Sequence, residues 1–139
     1  MKLTLLRHGD TEGSRRDLYY GAADIPVLPD SLAALEARAK AGVYPTAARY
    51  YTSGLLRTEQ TIRALYGDVP HTQLAGLREM DFGDFEMKSY EELKDDPAYQ
   101  AWIQDAEHNV CPHGESAPQV LARNLAAIQP VLDAGEDAV

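Results

Sequence analysis

The apolar positions of this chain fall in short runs and helical stripes. Leu3 to Leu6 places three leucines in four positions before Arg7, the pattern of a short buried strand. Arg7 to Ser14 reads as a loop, with Gly9 and Gly13 permitting unusual backbone angles. Tyr20 to Pro29 is irregular. Leu32, Leu35 and Ala39 share one face of a helix that Ser31 would cap and Gly42 would end. Arg49 to Thr52 predicts a second strand. Ser53 then predicts a helix cap, with Leu55, Thr58, Ile62 and Leu65 on one stripe and Gly67 as the stop.

His71 to Leu74 predicts a third strand, and Leu77 to Met87, without helical period, a loop. Ser89-Tyr90-Glu91-Glu92 is a capping-box pattern, and Asp96-Pro97 opens another helix. Cys111 to Glu115 reads as loop. Ser116 opens the last helix, with Val120, Leu121, Leu125, Ile128 and Leu132 expected inward, a kink at Pro130 and an end at Gly135. Ala138-Val139 looks like the start of a further strand. Strands followed by helices imply right-handed βαβ units, so the expected class is α/β with a mostly parallel sheet.

Composition narrows the function more than the fold. A length of 139 residues suits one domain spanning 1–139, and 45% hydrophobic residues suffice for a core. The net charge of −9 argues against nucleic acid and anionic membranes as partners, since both require a cationic footprint. It leaves open a small anion held by a local arginine cluster. Cys111 is the single cysteine, so no internal disulfide or Cys/His metal spacing arises. The apolar run before Arg7 is too short for a signal peptide or a membrane span, and the expected compartment is the cytoplasm.

Three stretches offer chemistry. In Arg7-His8-Gly9, a neutral imidazole at a strand end could attack a phosphoryl group, with the neighbouring guanidinium balancing its charge. Alone, the triplet reads as an exposed basic pair. Arg57, at the start of a helix after a strand, could reach the same crevice, or simply face solvent. The stretch Leu77 to Glu86 carries four carboxylates. Glu79 lies in an apolar-flanked loop, and burial there could raise it into a proton donor. Asp81, Asp84 and Glu86 are rivals on composition.

Taken in order, these stretches resemble the histidine phosphatase superfamily, the phosphoglycerate mutase-like proteins. The resemblance runs through Leu6 to Thr11, Tyr20 to Pro26, Ser53 to Thr61, Leu77 to Glu86, and Pro112-His113-Gly114-Glu115-Ser116. It implies a three-layer α/β sandwich with helices flanking the sheet. It implies a phosphohistidine at His8, a phosphate clamp of Arg7 and Arg57, and a proton donor at Glu79. Gly9, Thr11 and Ser14 would line the phosphate loop as substrate-binding residues, and Tyr20-Gly21 the substrate mouth. No metal and no cofactor are implied.

The family also has a second histidine, in a His-Gly ending a late strand, and Ala138-Val139 stands where that strand would begin. The domain is therefore expected to be C-terminally incomplete, with the recorded chain short, a truncated paralogue, or a homo-oligomer in which a partner supplies the strand. His113-Gly114 aligns with the Pro-x-Gly-Glu-Ser turn instead, and His71 and His108 carry no motif. Asp10, Ser14, Gly54 and Met87 replace residues more usual in the family.

The expected activity is metal-independent hydrolysis of a small phosphorylated metabolite, with a bell-shaped pH profile. Mutase action is less favoured, because only Lys88 and Lys94 lie between Glu86 and Pro112 to hold a second phosphate. The alternative class is a phospho-ligand binding module without turnover.

Overall fold

The computed structural model describes residues 1–139. Four extended segments lie side by side. Tyr51–Thr52 (β2) pairs in parallel with Thr72–Gln73 (β3), as the alternating pattern implied. Ala138 is bridged in parallel both to Leu3 and to Arg49, so the last residues sit between the first segment and the approach to β2. Thr4 N–H donates to Ala138 O at 2.8 Å, and Ala138 N–H donates to Lys2 O at 2.9 Å. On the other side Val139 N–H donates to Arg49 O and Tyr51 N–H donates to Val139 O.

The expected strand at Leu3 to Leu6 is paired only at Leu3. Leu5 and Leu6 make no ladder bond, and the Leu5 side chain is 82% exposed. A second, antiparallel pair joins Leu18–Tyr19 (β1) to Lys88–Ser89 (β4), which the helix-and-strand rhythm did not suggest.

The helices follow their capping chemistry, with two corrections. Glu12–Arg15 (α1) opens on a reciprocal box between Thr11 and Ser14. Pro29–Lys40 (α2) starts two residues before Ser31, with proline in its first turn. The Ser31 hydroxyl accepts from Asp10 N–H at 2.8 Å instead of capping. Leu56–Tyr66 (α3) begins at Leu56 and not at Ser53, which bonds the Thr58 hydroxyl. Its first amide, Leu56 N–H, donates at 2.7 Å to Asp24 Oδ1 from another loop. Gly67, at φ 70°, ends it.

Ala75–Leu77, at the entry to the expected loop, and Gly83–Phe85 within it form single 3-10 turns. Tyr90–Leu93 (α4), Pro97–Ile103 (α5) and Ala117–Ala134 (α6) are capped by Ser89, Asp96 and Ser116 as their sequences indicate. The last helix continues through Pro130 and ends in left-handed Gly135. No helix is long and apolar enough to cross a membrane.

The best-packed cluster is aromatic. Met80, Phe85, Leu93, Tyr99, Trp102 and Cys111 are buried together, with Tyr19, Phe82, Ala106 and Val120 against them. Tyr19 and Tyr99 share a hydroxyl hydrogen bond of 2.7 Å, which satisfies both polar tips inside the cluster. Burial pushes the Cys111 thiol up to about 11, so it stays protonated and acts as a small apolar side chain.

The expected inward stripe of α6 is a further correction. Leu121, Leu125 and Leu132 are 60%, 57% and 41% exposed, and Val131 is the buried residue of this helix. The helix packs on the turn at Ala75–Leu77, where Gly76 lies against Ala127.

Candidate active site

A cavity of about 490 Å³ opens between the first extended segment, β2, α3 and α6. Its polar wall carries Arg7, His8, Ser53, Arg57, Thr61 and Glu79, and its apolar wall includes Leu3, Ile62, Leu125 and Ile128. Three stretches far apart in sequence are thereby brought to one place.

His8 follows the first extended segment and is held by its neighbour. Its Nδ1 lies 2.7 Å from Gly9 O. A carbonyl only accepts, so Nδ1 carries the proton and the neutral ring presents a bare Nε2 lone pair. Burial lowers the pKa of His8. The Gly9 carbonyl and Glu79 oppose the shift, while the charges of Arg57 and Arg7 add to it. The ring is thus kept neutral and nucleophilic at ordinary pH. Gly9 itself is buried. Its N–H donates to the Thr61 hydroxyl at 3.0 Å, and a side chain there would press on Val27, Leu35 and Ser31.

Arg57 is 2% exposed and has no carboxylate partner within ion-pair distance. Its Nη1 donates to Ala23 O and its Nη2 to Gly21 O, each at 2.8 Å. Its Nε–H is buried with no hydrogen-bond partner. Its Cζ stands 5.2 Å over the Tyr20 ring, and that ring meets His8 edge-on at 6.3 Å. Burial lowers its pKa, yet a guanidinium stays charged. A buried cation with an unused donor beside a neutral imidazole suits an anion.

The other expected residues divide. Arg7 is exposed on the cavity wall, without an ion-pair partner. Glu79 lines the cavity but is exposed, not buried as expected; one of its oxygens, Oε1, accepts from Met80 N–H at 2.9 Å.

Thr11 and Ser14 stand outside the cavity lining. Ser14 Oγ donates to Thr11 O and accepts from Thr11 N–H, so both hydroxyls shape the loop from within. Tyr20 backs His8 and Arg57 rather than forming a mouth, and buried Gly21 supplies a carbonyl to Arg57. His113 is turned away, pairing with Asp84 at 3.0 Å on the surface.

Residues the sequence left unranked hold this geometry. Glu86 accepts from the backbone N–H groups of Gly21, Ala22, Ala23 and Phe82, which makes it an anchor rather than a rival proton donor. Arg123 of α6 donates to the carbonyls of Gly76, Arg78 and Glu79 and pairs with Glu115, seating the segment that carries Glu79. A lone arginine in a helical stretch gave no signal of that role.

The family model for the histidine phosphatase superfamily, branch 1, matches residues 3–139. The chain belongs to the histidine phosphatase superfamily. It is 34% identical over 141 residues to the adenosylcobalamin/alpha-ribazole phosphatase of Salmonella typhimurium, covering 99% of this chain and 69% of that protein. The protein of the same name from Escherichia coli is 30% identical, over 83% of this chain and 59% of its own length.

A 2,3-bisphosphoglycerate-dependent phosphoglycerate mutase of Beijerinckia indica is 29% identical, over 88% of this chain and 64% of the mutase. The chain therefore spans roughly three fifths to two thirds of the curated relatives it matches. Among solved structures, the alpha-ribazole phosphatase of Shigella flexneri superposes with a TM-score of 0.86 at 26% identity, over 99% of this chain and 71% of that one. The chain shares its α/β histidine phosphatase architecture with that structure.

Proposed function

We propose that this chain carries the phosphohistidine half-site of a phosphatase acting on small phosphate monoesters. The observation that carries the reading is the pairing of a neutral His8, Nδ1-protonated and Nε2-free, with the buried Arg57 on the wall of one cavity. His8 Nε2 attacks phosphorus as the ester P–O bond breaks, and the departing oxygen takes a proton from the Glu79 carboxyl. Water then attacks phosphorus and gives its proton to Glu79, the N–P bond breaks, and inorganic phosphate leaves. Arg7 and Arg57 balance the charge on the transferring oxygens, with no metal required by the scheme.

The names of the curated relatives favour an α-ribazole phosphate-type ester among the small metabolites that fit. Hydrolysis is preferred to mutase transfer because Lys88 and Lys94 are engaged elsewhere, on Asp84 O and on Glu91. In the same reading, the parallel segments form the middle layer of a three-layer sandwich between helices. A second reading, phospho-ligand binding without turnover, is favoured by one fact: His8 is the only histidine lining the cavity.

The test is hydrolysis of 4-nitrophenyl phosphate in EDTA by this chain, with His8→Ala beside it. Turnover lost in the variant supports the reading. A folded chain that binds orthovanadate but never turns over supports the binding module instead.

A further inference from the structure

Glu86 lies outside the cavity lining, yet it gathers more backbone donors than any other carboxylate in the molecule. Three consecutive amides turn toward it. Gly21 N–H reaches its two oxygens at 2.9 and 3.1 Å, Ala22 N–H reaches Oε1 at 2.9 Å, and Ala23 N–H reaches Oε2 at 3.1 Å. Phe82 N–H adds a contact of 3.0 Å from its own turn. Successive backbone N–H groups converging in this way make a concave anion site, and here the protein fills it with its own carboxylate.

The same short loop turns its carbonyls the other way. Gly21 O and Ala23 O accept from the two terminal nitrogens of Arg57. The adjoining Asp24 holds the first amide of α3, the helix that carries Arg57. The loop is thus clamped between an anion on one side and a cation on the other. The peptide joining Gly21 to Ala22 gives its N–H to the carboxylate and its oxygen to Arg57, so at that peptide the two bonds reinforce each other. Gly21 can serve in it only as glycine, because a Cβ would collide with the backbone carbonyl of Met80.

We propose that Glu86 is a positioning residue for Arg57. Its carboxylate fixes the loop Gly21–Ala23, and the loop fixes the plane of the guanidinium through its two terminal nitrogens. Glu86 touches no reacting atom in this scheme. The consequence for phosphate affinity rests on the function proposed above; the tether itself does not.

The experiment therefore reads both. In ¹⁵N-labelled protein, the side-chain Nε–H signals of Arg57 and Arg123 are followed by hydrogen exchange in the unaltered chain and in Glu86→Gln. Arg123 is held by Glu115 and three carbonyls and makes no contact with Glu86, so it serves as the internal control. Replacing a carboxylate by an amide breaks charge-assisted bonds, so Arg57 exchange should quicken about tenfold, with Arg123 unchanged.

Orthovanadate affinity, read by titration on the same samples, should fall about tenfold in parallel. Equal Arg57 exchange in both proteins overturns the tether, whatever the affinity does. Faster Arg57 exchange with no vanadate binding in either protein upholds the tether and sinks the proposed function instead.

If Glu86→Gln fails to fold, the unaltered chain still decides. Its Gly21, Ala22 and Ala23 amides must be protected from exchange at neutral pH and lose that protection when carboxylates are protonated. Amides that exchange at free-peptide rates at neutral pH overturn the proposal.

Discussion

The Nδ1–H of His8 is given to the carbonyl of Gly9 at 2.7 Å. That single bond chooses the tautomer, and with it the nitrogen left to attack. Burial and the nearby arginines then lower the ring's pKa. The nucleophile is the neutral ring, so it persists on the acid side of the usual histidine range. The acid limb of kcat/KM for 4-nitrophenyl phosphate should have its midpoint below pH 6.5, the value of an unperturbed histidine. A midpoint at or above that pH would show that protonation of another group controls the attack.

His71 is tuned oppositely. Its Nδ1 faces Val69 O at 3.0 Å and its Nε2 faces Glu59 at 2.9 Å, so both ring nitrogens donate only in the imidazolium. The Val69 carbonyl and then Glu59 raise its pKa. Burial tends to raise Glu59, and bonds from Thr52, His71 and Gln73 outweigh it, so the net shift is down.

The signs follow from proton linkage. The His71 contribution is complete below pH 6.5 and is lost as pH rises through its raised folded value. His8, lowered, takes stability away as pH falls from 6.5 through its folded value. Urea unfolding of His71→Gln should show a loss of at most about 1 kcal/mol near pH 5.5, since the pair is partly solvated, and less at pH 8. A loss that grows with pH would refute this assignment.

Gly21 gives the sharpest structural prediction. It is buried, and a Cβ on it would strike the carbonyl of Met80, which is backbone and cannot rotate aside. Gly21→Ala should lower stability by roughly 1–3 kcal/mol through overpacking alone, measured as a shift in the urea midpoint. Gly42, with nothing near its Cβ position, is the comparison; its φ of 71° limits it to a cost of about 1 kcal/mol. Equal effects at the two positions would mean that the Met80 contact does not constrain the loop.

These cases show where sequence is informative. Caps were legible at Ser89, Asp96 and Ser116 because each bond is made to a backbone group only two or three residues away. Ser31 and Ser53 had the same local look, yet the distant Asp10 amide claimed the first hydroxyl and the Thr58 hydroxyl bonds the second, while Asp24 took the role at α3 from a distance of 32 residues. His8, Arg7, Arg57 and Glu79 could be nominated because their motifs carry chemistry in residue type and spacing. Glu86 and Arg123 could not be ranked, because their work is done on backbone groups, and backbone leaves no trace in residue identity. Thr11 and Ser14 were nominated for a ligand and bond one another, since hydroxyls serve loops as readily as phosphates.

The leucine stripe of α6 supplies the last prediction. Periodicity placed Leu121, Leu125 and Leu132 inward, yet each is largely exposed, and Leu125 borders the cavity. Side chains that gain little burial contribute little to folding. Leu125→Gln should therefore change the stability of this chain by no more than about 0.5 kcal/mol. Ile62→Ala, removing a side chain of the same cavity that is 7% exposed, should cost about 2–5 kcal/mol. The same Leu125→Gln change should weaken binding of a hydrophobic dye such as ANS, because it breaks a contiguous apolar surface. A large stability loss at Leu125 would mean that the stripe is covered in solution, by a second copy or by another part of the fold, and the concentration dependence of the unfolding midpoint would tell those apart.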